Sequence, residues 1–295
     1  MTKNNRIKAI ELKQKYLRDN PEAFKGNSSA RHDYLDTIEN DYKLSLAPYQ
    51  LEACVGLVLG DASVQYSNNA TAARLKMQQS EERDFNKYVL LEVLPEWCAA
   101  RAPGIGRPAT ETAEKMSEIT TFTCKTLLTV ADVFRDPGYV PVPNKVLPKR
   151  IKPEIAKYLT PVCLAFWFMT DGGRSDNMIQ FNSHCFSKQE NELCQRQGAI
   201  LTDKYGWTIK PKKRLNKDRT AYQDYIALSG TNFDDFAVRV GPYITRPFLN
   251  RLPPGRSERS RHGIMTKARL LDTVGSALRL GTGHLIDSYP GGLKI

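Results

Sequence analysis

A chain of 295 residues is long enough for one large or two modest domains with a real core. Its 43 Lys and Arg against 32 Asp and Glu give a net charge of +11 and a pI near 9.3, which suits a polyanionic partner because each neutralised phosphate releases counterions. No uncharged apolar run reaches the ~18 residues needed to cross a bilayer, which excludes a helical integral membrane protein. Residues 1–45 form a polar extension with one short helix at about 6–18. Glu11, Asp19 and Glu22 do not fit a transit peptide, and the segment has no apolar centre for a secretory signal.

The first half begins with an apolar run, Ala53-Cys-Val-Gly-Leu-Val-Leu-Gly60, that ends in Asp61. A strand at Leu75–Ser80 follows, then an amphipathic stretch at Asp84–Leu94 and a basic, turn-rich segment from Arg101 to Arg107. A Thr-rich strand at 119–125 and a helix at 127–134 complete it. The second half opens with Pro161-Val-Cys-Leu-Ala-Phe-Trp-Phe-Met-Thr170, ended by Asp171-Gly-Gly173. Its strand is Met178–Asn182, its helix 188–203, its hairpin 207–214 with 221–229, and its closing helix 232–240. The same order of elements therefore appears twice, over 46–160 and 161–253, as an α+β plan of two hairpins with helices in each half. Residues 254–295 form a tail with seven basic and three acidic residues and a candidate helix at Met265–Leu280.

Six cysteines (Cys54, Cys98, Cys124, Cys163, Cys185, Cys194) include no C-x-x-C pair, which points to a reducing compartment and away from zinc. The closest approach to a metal cluster, His184-Cys185 with Cys194, lacks a second ligand pair. Gly104-Ile-Gly106 and Gly281-Thr-Gly283 lack the strand-to-helix context of nucleotide loops.

A helix C-terminus carries partial negative charge, so an aspartate there is unfavourable unless a cation offsets it. Two such acids, Asp61 and Asp171, stand 110 residues apart in a chain that repeats itself. The arrangement predicts two helices packed side by side, delivering both carboxylates to one metal-binding point. Gly56 and Gly60, with Ala53 on the same face, would let the second helix approach closely, with bulky Phe166 opposite Gly56.

Cys54-Val-Gly-Leu-Val-Leu-Gly-Asp-Ala62 and Leu164-Ala-Phe-Trp-Phe-Met-Thr-Asp-Gly172 resemble the paired nine-residue motifs of the LAGLIDADG homing endonucleases. The phrasing is most similar to the single-chain, intron-encoded members, and the resemblance covers residues 46–253. It implies two pseudo-symmetric αββαββα units forming a saddle joined at the motif helices. It also implies a site-specific double-stranded DNA endonuclease that works as a monomer and cuts across the minor groove to leave short 3′ overhangs. Mg2+, with Mn2+ as a substitute, would be held by Asp61 and Asp171.

Lys149 and Arg251 correspond to the basic residue that the family carries in each half. The family often has lysine at the second place, and arginine keeps the charge while hardly ever releasing a proton. Gln78 and its counterpart Asn182 resemble the polar residues that order active-site water. DNA contacts would fall to Arg74, Lys76, Arg101 and Arg107 in the first half. In the second they would fall to Arg174 and the basic hairpin of Lys210, Lys212, Lys213, Arg214, Lys217 and Arg219. The resemblance further implies an organelle-encoded protein, and leaves a splicing RNA maturase or a non-cleaving, domesticated nucleic-acid-binding protein as rivals.

Overall fold

The computed structural model describes residues 3–26, 28–80, 84–99, 104–107, 116–175, 178–183, 201–215 and 220–252. Two helices form its centre, α3 (Pro48–Leu59) and α6 (Pro161–Asp171). Each begins on a proline in its first turn, where a missing N–H costs nothing. Gln50 Oε1 accepts from the Ala47 N–H at 3.0 Å at the start of α3, and the Thr160 hydroxyl accepts from the Cys163 N–H at 3.3 Å at the start of α6. Beyond the first turns of α3, which carry Gln50 and Glu52, both helices are apolar on all sides and buried, as a helix with no polar face must be.

From the end of α3 the chain runs through β1 (Ser63–Tyr66), β2 (Ala73–Ser80), α4 (Phe85–Tyr88, widening into a π-type turn at Val89–Val93), β3 (Gly104–Arg107), β4 (Met116–Thr120) and α5 (Leu128–Phe134). After α6 come β5 (Gly172–Ser175), β6 (Met178–Asn182), a helical stretch at 201–205, β7 (Ile209–Leu215), β8 (Tyr222–Leu228) and α7 (Phe233–Arg239). The strands form two antiparallel four-stranded sheets with matching orders, β1-β2-β4-β3 and β5-β6-β8-β7. Each half therefore repeats αββαββα, the α+β plan expected from the sequence.

One face of each sheet packs on the helices. In β2 the alternation places Ala73, Leu75 and Met77 inward, and Arg74, Lys76 and Gln78 outward. In β6, Ile179 and Phe181 point inward, where Phe181 lies 4.9 Å from Trp167 and 6.1 Å from Phe236. The core is continuous between halves: Phe85 and Tyr88 of the first half meet Phe166 of α6 at 6.2 Å each, and Phe85 meets Phe248 edge-on at 5.2 Å.

Some elements differ from expectation. The strand expected at 119–125 begins earlier, at Met116, and the segment expected to be turn-rich from Arg101 contains β3. The sequence yields one N-terminal helix; the structure has two, α1 (Lys3–Asp19) and α2 (Ser29–Asp36). Both pack on the first half. Ala9, Tyr34 and Ile38 are fully buried, and Tyr34 joins Phe24 at 5.3 Å and Phe122 at 6.0 Å. Arg6 pairs with the buried Glu96, and the Lys13 ammonium donates to the carbonyls of Pro95 and, at 2.8 Å, Cys98. The helix expected over 188–203 lies mostly outside the described residues, and the tail helix entirely so.

Candidate active site at the paired helix ends

The backbones of α3 and α6 touch. A Cβ added at Gly56 would collide with the Cys163 carbonyl and the Phe166 Cβ, and one added at Gly60 would collide with Thr170. Small residues at these two places bring the helix ends together, and with them Asp61 and Asp171. The two carboxylates interact electrostatically. Burial by surrounding protein, then the charge of Asp171, push the Asp61 carboxyl up to about 6, while Lys149, Gln79 and Arg251 pull the other way. The outer edge of Asp61 is nonetheless exposed, and Asp171 is half-buried, so both remain open to a ligand.

Each aspartate is held by one amide. Gln79 Nε2 donates to Asp61 Oδ2, and lies 3.5 Å from the Thr170 carbonyl. Asn182 Nδ2 donates to Asp171 Oδ1 at 2.7 Å. Gln78 does not take the corresponding place. It pairs with Glu118 across the sheet and donates to its Oε2 at 2.7 Å on the solvent face. Successive side chains on a strand point to opposite faces, so only one of the two glutamines can reach Asp61. The apolar parity of Ala73, Leu75 and Met77 was the signal in the sequence: it continues to Gln79.

The expected basic residues differ in what they do. Lys149 Nζ donates to the Gly60 carbonyl at 2.6 Å, which fixes its ammonium beside Asp61. Arg251 Nη1 donates to the carbonyls of Gly172 at 2.8 Å, Met169 at 3.2 Å and Phe168 at 3.4 Å. Its guanidinium caps the orphan carbonyls at the end of α6, where a cation offsets the helix dipole.

On the sheet faces, Arg74 and Lys76 stand half-buried on the solvent side of β2, and Lys210, Lys212 and Lys213 are exposed on β7. Arg174 pairs with inward-facing Ile179, so it lies on the helix side of its sheet, where Nη1 donates to the Leu252 carbonyl at 3.3 Å. Arg101, Lys217 and Arg219 lie outside the described residues, and Arg107 and Arg214 are described only by their backbones within β3 and β7. Among the described residues no group of three or more His, Cys, Asp or Glu could hold a metal, and no helix is long and apolar enough to cross a membrane. His184, Cys185 and Cys194 fall outside that set.

The donor set suits a hard divalent cation. Two carboxylates interact at two negative helix ends, and burial with the charge of Asp171 raises the proton affinity of Asp61 despite Lys149 and Arg251. Magnesium takes oxygen donors, few of them from protein.

A family model described as the LAGLIDADG DNA endonuclease family matches residues 51–236. No curated protein sequence matches the chain. Among solved structures, the homing endonuclease I-WcaI bound to its DNA recognition sequence superposes with a TM-score of 0.63 at 20% identity, covering 80% of this chain and 97% of that one. At that identity the likeness concerns the fold. An I-DmoI variant in complex with its target DNA and manganese gives a TM-score of 0.40 at 12% identity, over 70% of this chain and 98% of that one, too low to bear on the comparison.

Proposed function

Since the chain belongs to the LAGLIDADG DNA endonuclease family, we propose that it is a site-specific double-stranded DNA endonuclease of the intron-homing type, monomeric and dependent on Mg2+ or Mn2+. The observation that carries this reading is the convergence of Asp61 and Asp171, from helices of separate halves, between two sheets of matching topology. The motif phrasing supports an organelle-encoded origin.

Asp61 and Asp171 would hold the divalent ions. Bound there, such ions supply an activated water and neutralise charge on the attacking and departing oxygens of the phosphodiester. The protein's own groups do the rest. Gln79 and Asn182 each engage one carboxylate oxygen, which orients the other towards the ligand. Lys149 places a fixed positive charge beside Asp61, where it attracts the scissile phosphate. Arg251 fixes the turn that carries Asp171.

The test is cleavage of a duplex made by joining the exons that flank the reading frame. Cutting requires Mg2+ or Mn2+, and Asp61→Asn or Asp171→Asn abolishes it while duplex binding in Ca2+ persists. Cutting in the presence of a chelator, or cutting that survives both substitutions, would overturn the reading.

A further inference from the structure

The faces of the two sheets turned away from the helices are built differently. Directly opposed residues of an antiparallel pair share a face, so the register defines each surface. On the first sheet, Gln65 lies opposite Arg74, and Gln78 lies opposite Glu118. Arg74 Nε and Nη2 both donate to Gln65 Oε1, at 3.1 and 2.9 Å. Lys76 Nζ lies 3.1 Å from Glu118 Oε2, the same oxygen that accepts from Gln78. Among the described residues, Arg74, Lys76, Gln78 and Glu118 of this face are thus each held by a neighbour before any ligand arrives.

On the second sheet Gln180, Tyr225 and Ala227 of that face are buried, and the exposed charge lies on β7. Lys210 pairs with Ala227 and Lys212 with Tyr225, on the face that also carries Gln180 and Asn182. Lys210 and Lys212 are exposed, with no side-chain partner among the described residues.

These two designs suit different tasks. Mobile ammonium groups bind phosphates and position a duplex without reading it. A guanidinium already fixed by an amide spends less entropy to present its remaining donors to guanine O6 and N7. A carboxylate on a surface meant for phosphates costs affinity, and is explained where it reads a base edge, or holds a glutamine and a lysine that do. We propose that the first sheet reads the target sequence through Arg74, Glu118 and Gln78, while the second supplies affinity through charge. The inference rests on the endonuclease reading and adds to it where the specificity resides.

Selection of bound duplexes from a pool with a randomised 30-base-pair segment, with Ca2+ in place of Mg2+, tests it on the full chain. Retained sequences should show strong base preference over one half of the footprint and weak preference over the other. Single base changes in the strong half should weaken binding about tenfold or more. Arg74→Ala should erase one guanine preference there. Lys210→Ala with Lys212→Ala should weaken binding to all sequences alike, and reduce the slope of log affinity against log salt by about 2. Equal preference in both halves, a preference that survives Arg74→Ala, or one altered by the lysine changes would overturn the inference. Retention with no preference also defeats it, but leaves duplex binding standing, whereas no retention defeats both.

Discussion

Asp61 occupies a place that favours its neutral form. Its carboxyl sits near 6 because of burial first and Asp171 second, against about 3.9 in an unfolded chain. Between these values the folded state binds the extra proton, so this group's contribution to stability falls as pH rises from about 4 to about 6, and stays lost above that window. Metal-free protein carrying Asp61→Asn should therefore melt higher than the parent at pH 7.5 and at the same temperature at pH 4. Mg2+ should reverse the order at pH 7.5, because only the parent gains from the ion. Equal melting at both pH values, with and without Mg2+, would show that the two charges do not share a site. The acids themselves were legible in the sequence, since an aspartate ending an apolar helix is conspicuous. Gln79 is identified by strand parity within the same eight residues as Gln78, to which the family resemblance points. Glu118 and Gln65 were out of reach, because pairing across strands needs register, and register comes from turns and packing.

At the scale of elements, the helix pair α3 and α6 depends on glycine at two contacts, and Gly56 is the one that meets main chain. Gly56→Val should destabilise the protein by about 1–3 kcal/mol, as overpacking does where a backbone carbonyl blocks the way. Gly138→Ala is the control, since nothing lies within 4 Å of the added carbon. It should fall within about 0.5 kcal/mol of the parent. Urea midpoints compare the two, and equal effects would mean that the helices do not touch at Gly56. The elements α6, β6, β8 and α7 were readable close to their ends, whereas α3 begins at Pro48, ahead of the apolar run that starts at Ala53. The four-residue strands β1 and β3 were not readable, because so short a run shows too few alternations to separate strand from loop.

At the scale of the molecule, the N-terminal segment is joined to the first half by buried charge. Lys13 lies almost fully buried on α1, and that burial lowers its ammonium to about 8. Glu96 and Cys98 oppose the shift. Here the unfolded chain holds the extra proton between pH 8 and about 10.4, so the contribution of Lys13 to stability rises with pH across that window. The stability difference between the parent and Lys13→Met should grow by roughly 3 kcal/mol from pH 8 to 10.5. A constant difference would mean that the amine stays in water. The polar composition of residues 1–45 hid this packing, because a buried lysine satisfied by carbonyls has the same letter as a solvated one.

The contact at Gly56 and Gly60 has a further result. The spacing between Asp61 and Asp171 is set where Gly56 meets the Cys163 carbonyl and Gly60 meets Thr170, a ruler that lies inside the molecule. On the proposed division of labour, Arg74, Gln78 and Glu118 on the outer face of the first sheet can therefore change without moving this buried contact.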